Sequence, residues 1–330
     1  VTALAQRVDG AGNGLDAIGA DTFVIRLQQP GWWKIHDIYR AYLLEQFTAL
    51  PAHLQQQTVD TLAEWLCGQG AHAQALTLQA SHAAPADLHA YVLRHYHYWL
   101  SQGLQDLLEQ AAGLLSDAAV QADPRLCLPY LWARADRLDL AQCRDHVSRA
   151  LDQAQHLASA ASTTSELYSL LSYCELVKGD PAGALQHARD ALHWSEQAAQ
   201  PWRSRPLLTI GLLTYMQGHM GEASAALAQA LVCAQQERHH YHVILALGYW
   251  MSALYLSGQF DEALAICART REWLQTFPHE GATDLWLDLP PFDILIARGE
   301  LDDAQRRLQP LLRFADRSEE RRVGKEGRSR

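Results

Sequence analysis

A group of three small or apolar residues recurs about every forty positions in the second half of the chain. Each copy has a glycine, an alanine five residues later and an apolar residue nine later. The copies are Gly179/Ala184/Ala188, Gly218/Ala223/Leu227, Gly258/Ala263/Cys267 and Gly299/Ala304/Leu308. A degenerate copy has Leu138, Cys143 and Val147, and weaker ones begin at Gly70 and near Gly103. This period predicts an array of helical hairpins, because one hairpin alone buries only one face and neighbours must stack to cover the rest.

The residues around each glycine suit a tight turn between two antiparallel helices, A and B. Glycine ends helix A, because the turn needs a residue that tolerates positive φ. Asp180 and Glu222 follow two such glycines, where the N-terminus of helix B favours carboxylates, and Pro181 suits the first turn of a helix. The alanine lies where the two helices cross and lets their backbones approach. Four positions are therefore predicted as structural hinges of the repeats: Gly179, Gly218, Gly258 and Gly299.

The composition supports helices around a large core. Of the 330 residues 48% are apolar and 19% are charged, and alanine, leucine and glutamine dominate over β-branched residues. Six cysteines form no CxxC pair, which favours small buried side chains in a reducing compartment. No apolar leader opens the chain, and the apolar run 243–256 is shorter than the ~20 residues of a membrane span. We therefore expect a cytoplasmic, all-α protein without a membrane segment.

The offset between the turn glycine and the alanine resembles that of the tetratricopeptide repeat (TPR). Gly211, seven residues before Gly218, falls at the glycine of helix A in that family. The period near forty is longer than the ~34 residues of the TPR, and most other consensus aromatics are absent. Stretched repeats of this kind resemble the helical-repeat region of MalT-like regulators. The resemblance implies a TPR-like α-α superhelix built of hairpins about 40 residues long.

A different pattern precedes the repeats. Residues 21–27 (DTFVIRL) are rich in strand formers, residues 29–31 (QPG) suit a turn, and residues 32–35 can return as a second strand. Asp37 is well placed to start a helix that extends to about Thr48. The order strand, turn, strand, helix is typical of the closing part of a winged-helix domain.

Two segments resemble parts of LuxR-type STAND ATP-dependent transcriptional regulators, the group that includes MalT-like proteins. Residues 32–46 (WWKIHDIYRAYLLEQ) resemble the end of their nucleotide-binding module, and residues 62–80 resemble the linking helical pair that follows. The resemblance implies a winged-helix remnant at 1–48 and a TPR-like repeat domain at 49–316. The sequence has no GxxxxGK[ST] motif and no basic recognition helix. We therefore expect a fragment without a cofactor of its own and without direct nucleic-acid binding, whereas a longer parent would bind ATP and DNA.

The last fourteen residues, 317–330 (RSEERRVGKEGRSR), differ in character from the rest of the chain. They resemble the in-frame translation of a common sequencing-library adapter, RSEERRVGKECRSR, from which only Gly327 departs. We expect this tail to be non-native and disordered, and the alternative is a solvated, charged C-terminus. Its basic residues mask part of the acidic excess of the chain, whose formal charge is −10. An acidic body of this kind repels a phosphate backbone.

Helix A lines the concave surface of paired-helix arrays, so fixed offsets from the turn glycines predict groove residues. The candidates for contact with a ligand or partner are Tyr173, Arg205, Leu212, Tyr215, Tyr255, Trp286 and Asp293. Aromatic rings with a few polar groups suit a sugar or a peptide. The alternative is that Tyr215 and Tyr255 simply pack between repeats.

The histidine clusters do not predict a metal site. On a helix, His95 and His97 diverge by about 200° and cannot chelate one ion together. His239 and His242 share a face but lack a third ligand. We therefore expect no metal and no catalytic residues.

Two functions from different classes remain open. The first is the sensing segment of a MalT-like regulator, whose repeats bind a small-molecule inducer or a regulatory protein and can self-associate. The second is a free-standing TPR-type scaffold for protein–protein interaction. Under either function we expect that the chain is not an enzyme and that it has no membrane partner.

Overall fold

A small β-hairpin and a helix are the first elements of the structure. The computed structural model describes residues 24–26, 33–35, 37–135, 137–157, 159–198, 202–276, 289–309 and 312. Strand β1 (Val24–Arg26) pairs antiparallel with β2 (Trp33–Ile35), with Ile25 opposite Lys34. Helix α1 (Asp37–Thr48) follows directly. These elements have the order and the position that the sequence predicts.

Paired antiparallel helices make up the rest of the described chain. The hairpins are α2 (Ala52–Gly68) with α3 (His72–His82), α4 (Pro85–Ser101) with α5 (Gln105–Leu114), α7 (Cys127–Arg134) with α8 (Leu140–Ala154), α9 (Ala160–Lys178) with α10 (Pro181–Ser195), α11 (Ser204–Met216) with α12 (Met220–Gln236), α13 (His240–Leu256) with α14 (Phe260–Gln275), and α15 (Leu289–Ala297) with α16 (301–309). A short helix, α6 (Asp117–Ala122), lies between α5 and α7. The prediction of an all-α, TPR-like array is confirmed, apart from the two short strands.

Six turns between paired helices contain a glycine with positive φ. The angle ranges from +69° at Gly103 to +86° at Gly179, and the other four are Gly70, Gly218, Gly258 and Gly299. At Gly179 and Gly218 a Cβ atom would meet nothing within 4 Å. The turn thus requires glycine for its backbone conformation and not for lack of space.

The residue five positions after each turn glycine is buried in the crossing of helices A and B. It is at most 3% exposed in all six copies, namely Ala75, Leu108, Ala184, Ala223, Ala263 and Ala304. Helix α8 in the degenerate copy starts differently, because Asp139 accepts the N–H of Gln142 at 2.7 Å and the Gln142 side chain accepts the N–H of Asp139. This capping box supplies the helix start where Leu138 replaces the turn glycine.

Helices α11 and α12 approach each other closely at Gly211. A Cβ atom on Gly211 would lie 2.6 Å from Cγ of Leu227, which is fully buried. Around this crossing α11 to α15 share one apolar core, which includes Leu208, Leu227, Leu231, Leu247, Met251, Ile266 and Ile294. Among the described residues, no helix is both long enough and apolar enough to cross a lipid bilayer.

The chain divides into two compact units, Val1–Val92 and Leu93–Arg330. The domain boundary that the sequence predicts after residue 48 stays a prediction. Within the first unit the ring of Phe47 contacts that of His82 edge-on at 5.8 Å between centroids, so α1 and α3 belong to one packed body. The assignment of residues 1–48 as a winged-helix remnant stays a prediction, and the tail 317–330 lies outside the described residues.

Candidate functional site

The A helices of five hairpins, α4, α7, α9, α11 and α13, border one cavity within the unit Leu93–Arg330. Its volume is about 350 Å³, and the first turn of α5 completes its wall. Five aromatic side chains line it, namely Trp99, Trp132, Tyr173, Trp202 and Tyr241. At about 30 Å³ per water-sized group, the space holds about a dozen non-hydrogen atoms. A cavity of this size and character suits a small organic molecule.

Arg205 carries the positive charge of the cavity. Its Cζ lies 4.1 Å from the ring centroid of Tyr173 and 5.7 Å from that of Trp132. Its Nε is buried and has no hydrogen-bond partner, and no carboxylate of the described residues pairs with the guanidinium. Burial lowers the pKa of Arg205, and the nearby Tyr173 and Tyr241 partly oppose this shift. Aromatic faces therefore take the place of a counterion.

Glu166 carries a negative charge in the same cavity, but partners already hold it. The hydroxyl of Tyr96 donates to its two carboxylate oxygens at 2.8 and 2.9 Å, and Nε2 of His97 lies 3.4 Å from Oε2. The ring of His97 stacks on Trp202 at 4.1 Å between centroids. Burial and then the charge of Glu166 raise the pKa of Tyr96 well above its usual value. Tyr96 thus stays protonated and remains a donor to Glu166.

Glu237 caps the N-terminus of α11 together with Ser204. Oε1 of Glu237 accepts the N–H groups of Arg203 at 2.7 Å and Ser204 at 3.0 Å, and Oε2 accepts the Ser204 hydroxyl. Nδ1 of His242 lies 2.7 Å from the same hydroxyl oxygen. In a nucleophilic triad the histidine takes the serine proton and the acid holds the histidine. Here the serine gives its proton to the acid, so the group caps a helix and does not form a triad.

His239 and His242 stack at the start of α13, with 3.4 Å between their ring centroids. Nδ1 of His239 accepts the backbone N–H of His242 at 3.3 Å. Burial lowers the pKa of His239 to about 3 and that of His242 well below its usual value. Both rings are therefore neutral at neutral pH. In the part of the chain that the structure describes, no three histidine, cysteine or carboxylate side chains converge as metal ligands.

A separate ion cluster braces α8, α9 and α10. The carboxylate of Glu175 is fully buried and accepts from Nη2 of Arg144 at 2.7 Å, while Nδ1 of His187 lies 2.6 Å from it. Arg144 also pairs with Asp180. A backbone hydrogen bond from Gly183, and then Arg144, lower the pKa of Asp180. This cluster contributes to the packing of three helices, and none of its residues lines the cavity.

The structure brings together two of the predicted groove residues and separates others from them. Tyr173 and Arg205 both line the cavity and contact each other. Leu212 is half-buried and Asp293 is exposed, and neither lines the cavity. Trp286 lies outside the described residues. A role for Leu212, Asp293 and Trp286 in binding stays a prediction.

Tyr215 and Tyr255 pack against neighbouring rings. Tyr215 lies 6.2 Å from Tyr249 and Tyr255 lies 5.6 Å from Phe260, measured between ring centroids. All four are half-buried against the apolar core of α11 to α15. These contacts agree with the packing alternative, and a role of Tyr215 and Tyr255 in binding stays a prediction.

Sequence reasoning missed several cavity residues. Trp132 precedes Leu138 by six residues, the same offset that separates Tyr173 from Gly179, and the two rings lie 5.3 Å apart. Applying the groove offsets to the degenerate copy finds Trp132. Trp202 lies in the segment before α11 and follows no repeat offset, so the repeat pattern contains no signal for it.

These features define the protein as a helical-repeat protein with an internal small-molecule-sized cavity. No family model matches the sequence. The chain is 24% identical over 244 residues to the HTH-type transcriptional regulator MalT of Vibrio cholerae serotype O1, an alignment that covers 72% of this chain. It spans only 27% of the length of that regulator. This distant similarity supports a relationship to MalT-like regulators through their helical-repeat region.

A solved structure shows the same kind of fold. The crystal structure of BtubC (BKLC) from P. vanneervenii superposes with a TM-score of 0.52 at 16% sequence identity. The match covers 66% of this chain and 91% of that chain. At such low identity the likeness bears on the fold alone.

Proposed function

We propose that the chain is the sensing helical-repeat segment of a MalT-like, LuxR-type transcriptional regulator, and that its cavity holds a small-molecule effector. The observation that carries the proposal is a cavity that the A helices of five hairpins border together. The alignment with the Vibrio cholerae regulator supports the same class. In this proposal the chain is a binding module, and nucleotide and DNA binding belong to a longer, cytoplasmic parent.

The position of the cavity suggests how an effector would act. His97 on α4 and His242 on α13 both line it, although they are far apart in the sequence. A molecule that contacts both helices favours those arrangements of the intervening hairpins in which all contacts form at once. Effector binding then shifts the population of hairpin arrangements, and a parent protein can read this shift.

A thermal-shift screen with a metabolite panel tests the proposal. The variant Gln105→Trp places a large ring at the cavity wall, because Gln105 is exposed and lines the cavity in the first turn of α5. Gln110→Trp is the matched control, since Gln110 is exposed on the same helix and does not line the cavity. We expect panel members that stabilise the unaltered chain and Gln110→Trp but not Gln105→Trp. If no member discriminates between the two variants, the cavity is not an effector site.

The assignment to a regulator has its own test. Sequencing the genomic DNA on both sides of the coding region should reveal a GxxxxGK[ST] motif upstream and a helix-turn-helix downstream. The isolated chain should neither hydrolyse ATP nor retain promoter DNA. Measurable ATP turnover by a pure preparation would contradict the proposal.

A row of exposed apolar side chains favours a second candidate, a protein-interaction scaffold. Val177, Met216 and Leu256 each lie two residues before a turn glycine and are 48%, 70% and 57% exposed. Such a row can bind a second copy or another protein. Self-association that is lost in Met216→Ser/Leu256→Ser, but kept in the control Val232→Ser, supports this candidate. A chain that is monomeric at high concentration by light scattering counts against self-association through this row.

A further inference from the structure

Two buried hydrogen-bond donors at the wall of the cavity have no acceptor. Nε of Arg205 and Nε1 of Trp132 are both inaccessible to solvent and unpaired among the described residues. The guanidinium carbon lies 5.7 Å from the ring centroid of Trp132, and both residues line the cavity. A buried donor without an acceptor is costly and rare in folded proteins. The side chains of Arg205 and Trp132 thus line the cavity next to each other, and neither of these two donors has an acceptor among the described residues.

Neighbouring side chains do not supply that acceptor. Tyr173 covers the face of the guanidinium at 4.1 Å, and a stacked ring leaves the N–H groups at the guanidinium edge free to donate. Glu166, which lines the cavity, already accepts from Tyr96. Glu237, which caps the start of α11, accepts from the backbone of Arg203 and Ser204. The positive charge of Arg205 is thus partly buried and has no carboxylate partner among the described residues.

We propose that the cavity binds a small aromatic carboxylate, whose two oxygens accept from Arg205 and Trp132. The inference rests on the proposed function, since it names the effector class of the same cavity. A carboxylate provides two acceptors and one negative charge, which matches one guanidinium. A phosphate dianion would keep a charge without a partner, because Arg205 has no second Lys or Arg beside it among the described residues that line the cavity.

The other residues of the cavity wall indicate which group the carboxylate is attached to. Trp99, Tyr173, Trp202 and Tyr241 surround the space with flat, largely apolar faces, which favour an aromatic ring by stacking. The volume of about 350 Å³ accommodates one ring with its carboxylate and a small substituent. A neutral sugar would leave Arg205 without an anion in a buried site.

Isothermal titration calorimetry with simple probes tests the proposal. The probes are benzoate, 4-hydroxybenzoate, the neutral analogue benzamide, and inorganic phosphate. We expect the carboxylates to bind the unaltered chain with Kd on the order of 1 mM or tighter. Benzamide should bind at least about tenfold more weakly, because it cannot form a charge-assisted hydrogen bond with Arg205. Phosphate should show no saturable binding.

Variants locate the binding site. Arg205→Gln should weaken benzoate binding at least about tenfold, and Trp132→Phe, which removes the N–H but keeps a ring, by a few fold. Arg203→Gln is the matched control, because this exposed arginine lies two residues away and does not line the cavity. Arg205→Gln should melt at the same temperature as the unaltered chain or higher, since it removes a buried charge without a counterion. The comparison of benzoate with benzamide uses only the unaltered chain, so it tests the inference even if a variant fails to fold.

The other possible results show whether the inference alone fails or the proposed function fails with it. Equal binding of benzoate and benzamide, unchanged benzoate binding by Arg205→Gln, or phosphate binding as tight as benzoate overturns the inference. If carboxylates fail to bind while neutral panel molecules bind in a manner blocked by Gln105→Trp, the inference fails and the proposed function stands. If neither group of molecules binds, both fail.

Discussion

Replacing Gly211 with alanine tests the close crossing of α11 and α12. The added Cβ would lie 2.6 Å from Cγ and 2.7 Å from Cδ2 of Leu227. Cγ is an inner atom of a fully buried side chain, so either the Leu227 rotamer or the helix itself must shift. Gly248 in α13 is the matched control, because a Cβ there would meet nothing within 4 Å.

The two substitutions share one energy term and differ in another. Alanine in place of a helical glycine stabilises a helix by about 1 kcal/mol at either site. Overpacking costs about 1–3 kcal/mol and applies only at Gly211. Gly248→Ala should therefore raise the free energy of unfolding by about 1 kcal/mol, whereas Gly211→Ala should lower it by as much as about 2 kcal/mol. The difference between the variants, about 1–3 kcal/mol, isolates the steric term.

Urea denaturation followed by circular dichroism at 222 nm measures this difference, with linear extrapolation to zero denaturant. Thermal melts should show Gly211→Ala unfolding several degrees below Gly248→Ala, since 1 kcal/mol corresponds to roughly 2–4 °C in a domain of this size. If the two variants agree within about 0.5 kcal/mol, the close approach of Leu227 does not constrain residue 211 and the reasoning is wrong.

Two further predictions concern buried charge. The pKa of His239 is about 3 and that of His242 is also lowered, so both stay neutral in the folded chain while unfolded histidines take up protons below about pH 6.5. Their contribution to stability is complete above pH 6.5 and declines as the pH falls toward 3. At pH 5 the free energy of unfolding should be about 2 kcal/mol lower on account of His239, and the lowered pKa of His242 adds to this loss. Urea titrations at pH 7.5 and 5.0 should show a smaller loss in His239→Asn, which keeps a capping side chain, and an equal loss contradicts the assignment. Arg144→Ala removes a partner of the buried Glu175 and should cost about 1–3 kcal/mol. Arg149→Ala, which breaks an exposed pair, should change stability by less than about 0.5 kcal/mol, and equal effects would refute the role given to Glu175.

The repeat array is predictable because its chemistry is local. A turn with positive φ needs glycine, and the buried position five residues later is alanine in five of the six copies, so both leave a periodic signal at Gly179/Ala184 and its equivalents. The degenerate copy at Leu138 lacks the glycine, yet Cys143 and Val147 are fully buried at the expected offsets. Packing positions thus persist where the turn residue has changed.

The cavity is less predictable because it depends on contacts between hairpins that are distant in the sequence. Offsets from the turn glycines lead to Tyr173 and Arg205, but they equally select Tyr255, which packs against Phe260. Whether an A-helix side chain faces a cavity or a neighbouring ring depends on how successive hairpins are rotated. No single repeat encodes this rotation. The unpaired Nε of Arg205 in particular becomes visible only when every neighbouring helix is in place.

The cavity also has a consequence for how the array unfolds. In a linear array each hairpin is stabilised mainly by its immediate neighbours, so its ends can open while its middle stays folded. The hydrogen bond between Tyr96 on α4 and Glu166 on α9 already spans 70 residues. A ligand that also contacts α13 would link hairpins that otherwise melt separately. Occupancy would then make denaturation more cooperative, so that a frayed, segmental transition becomes a single sharp one.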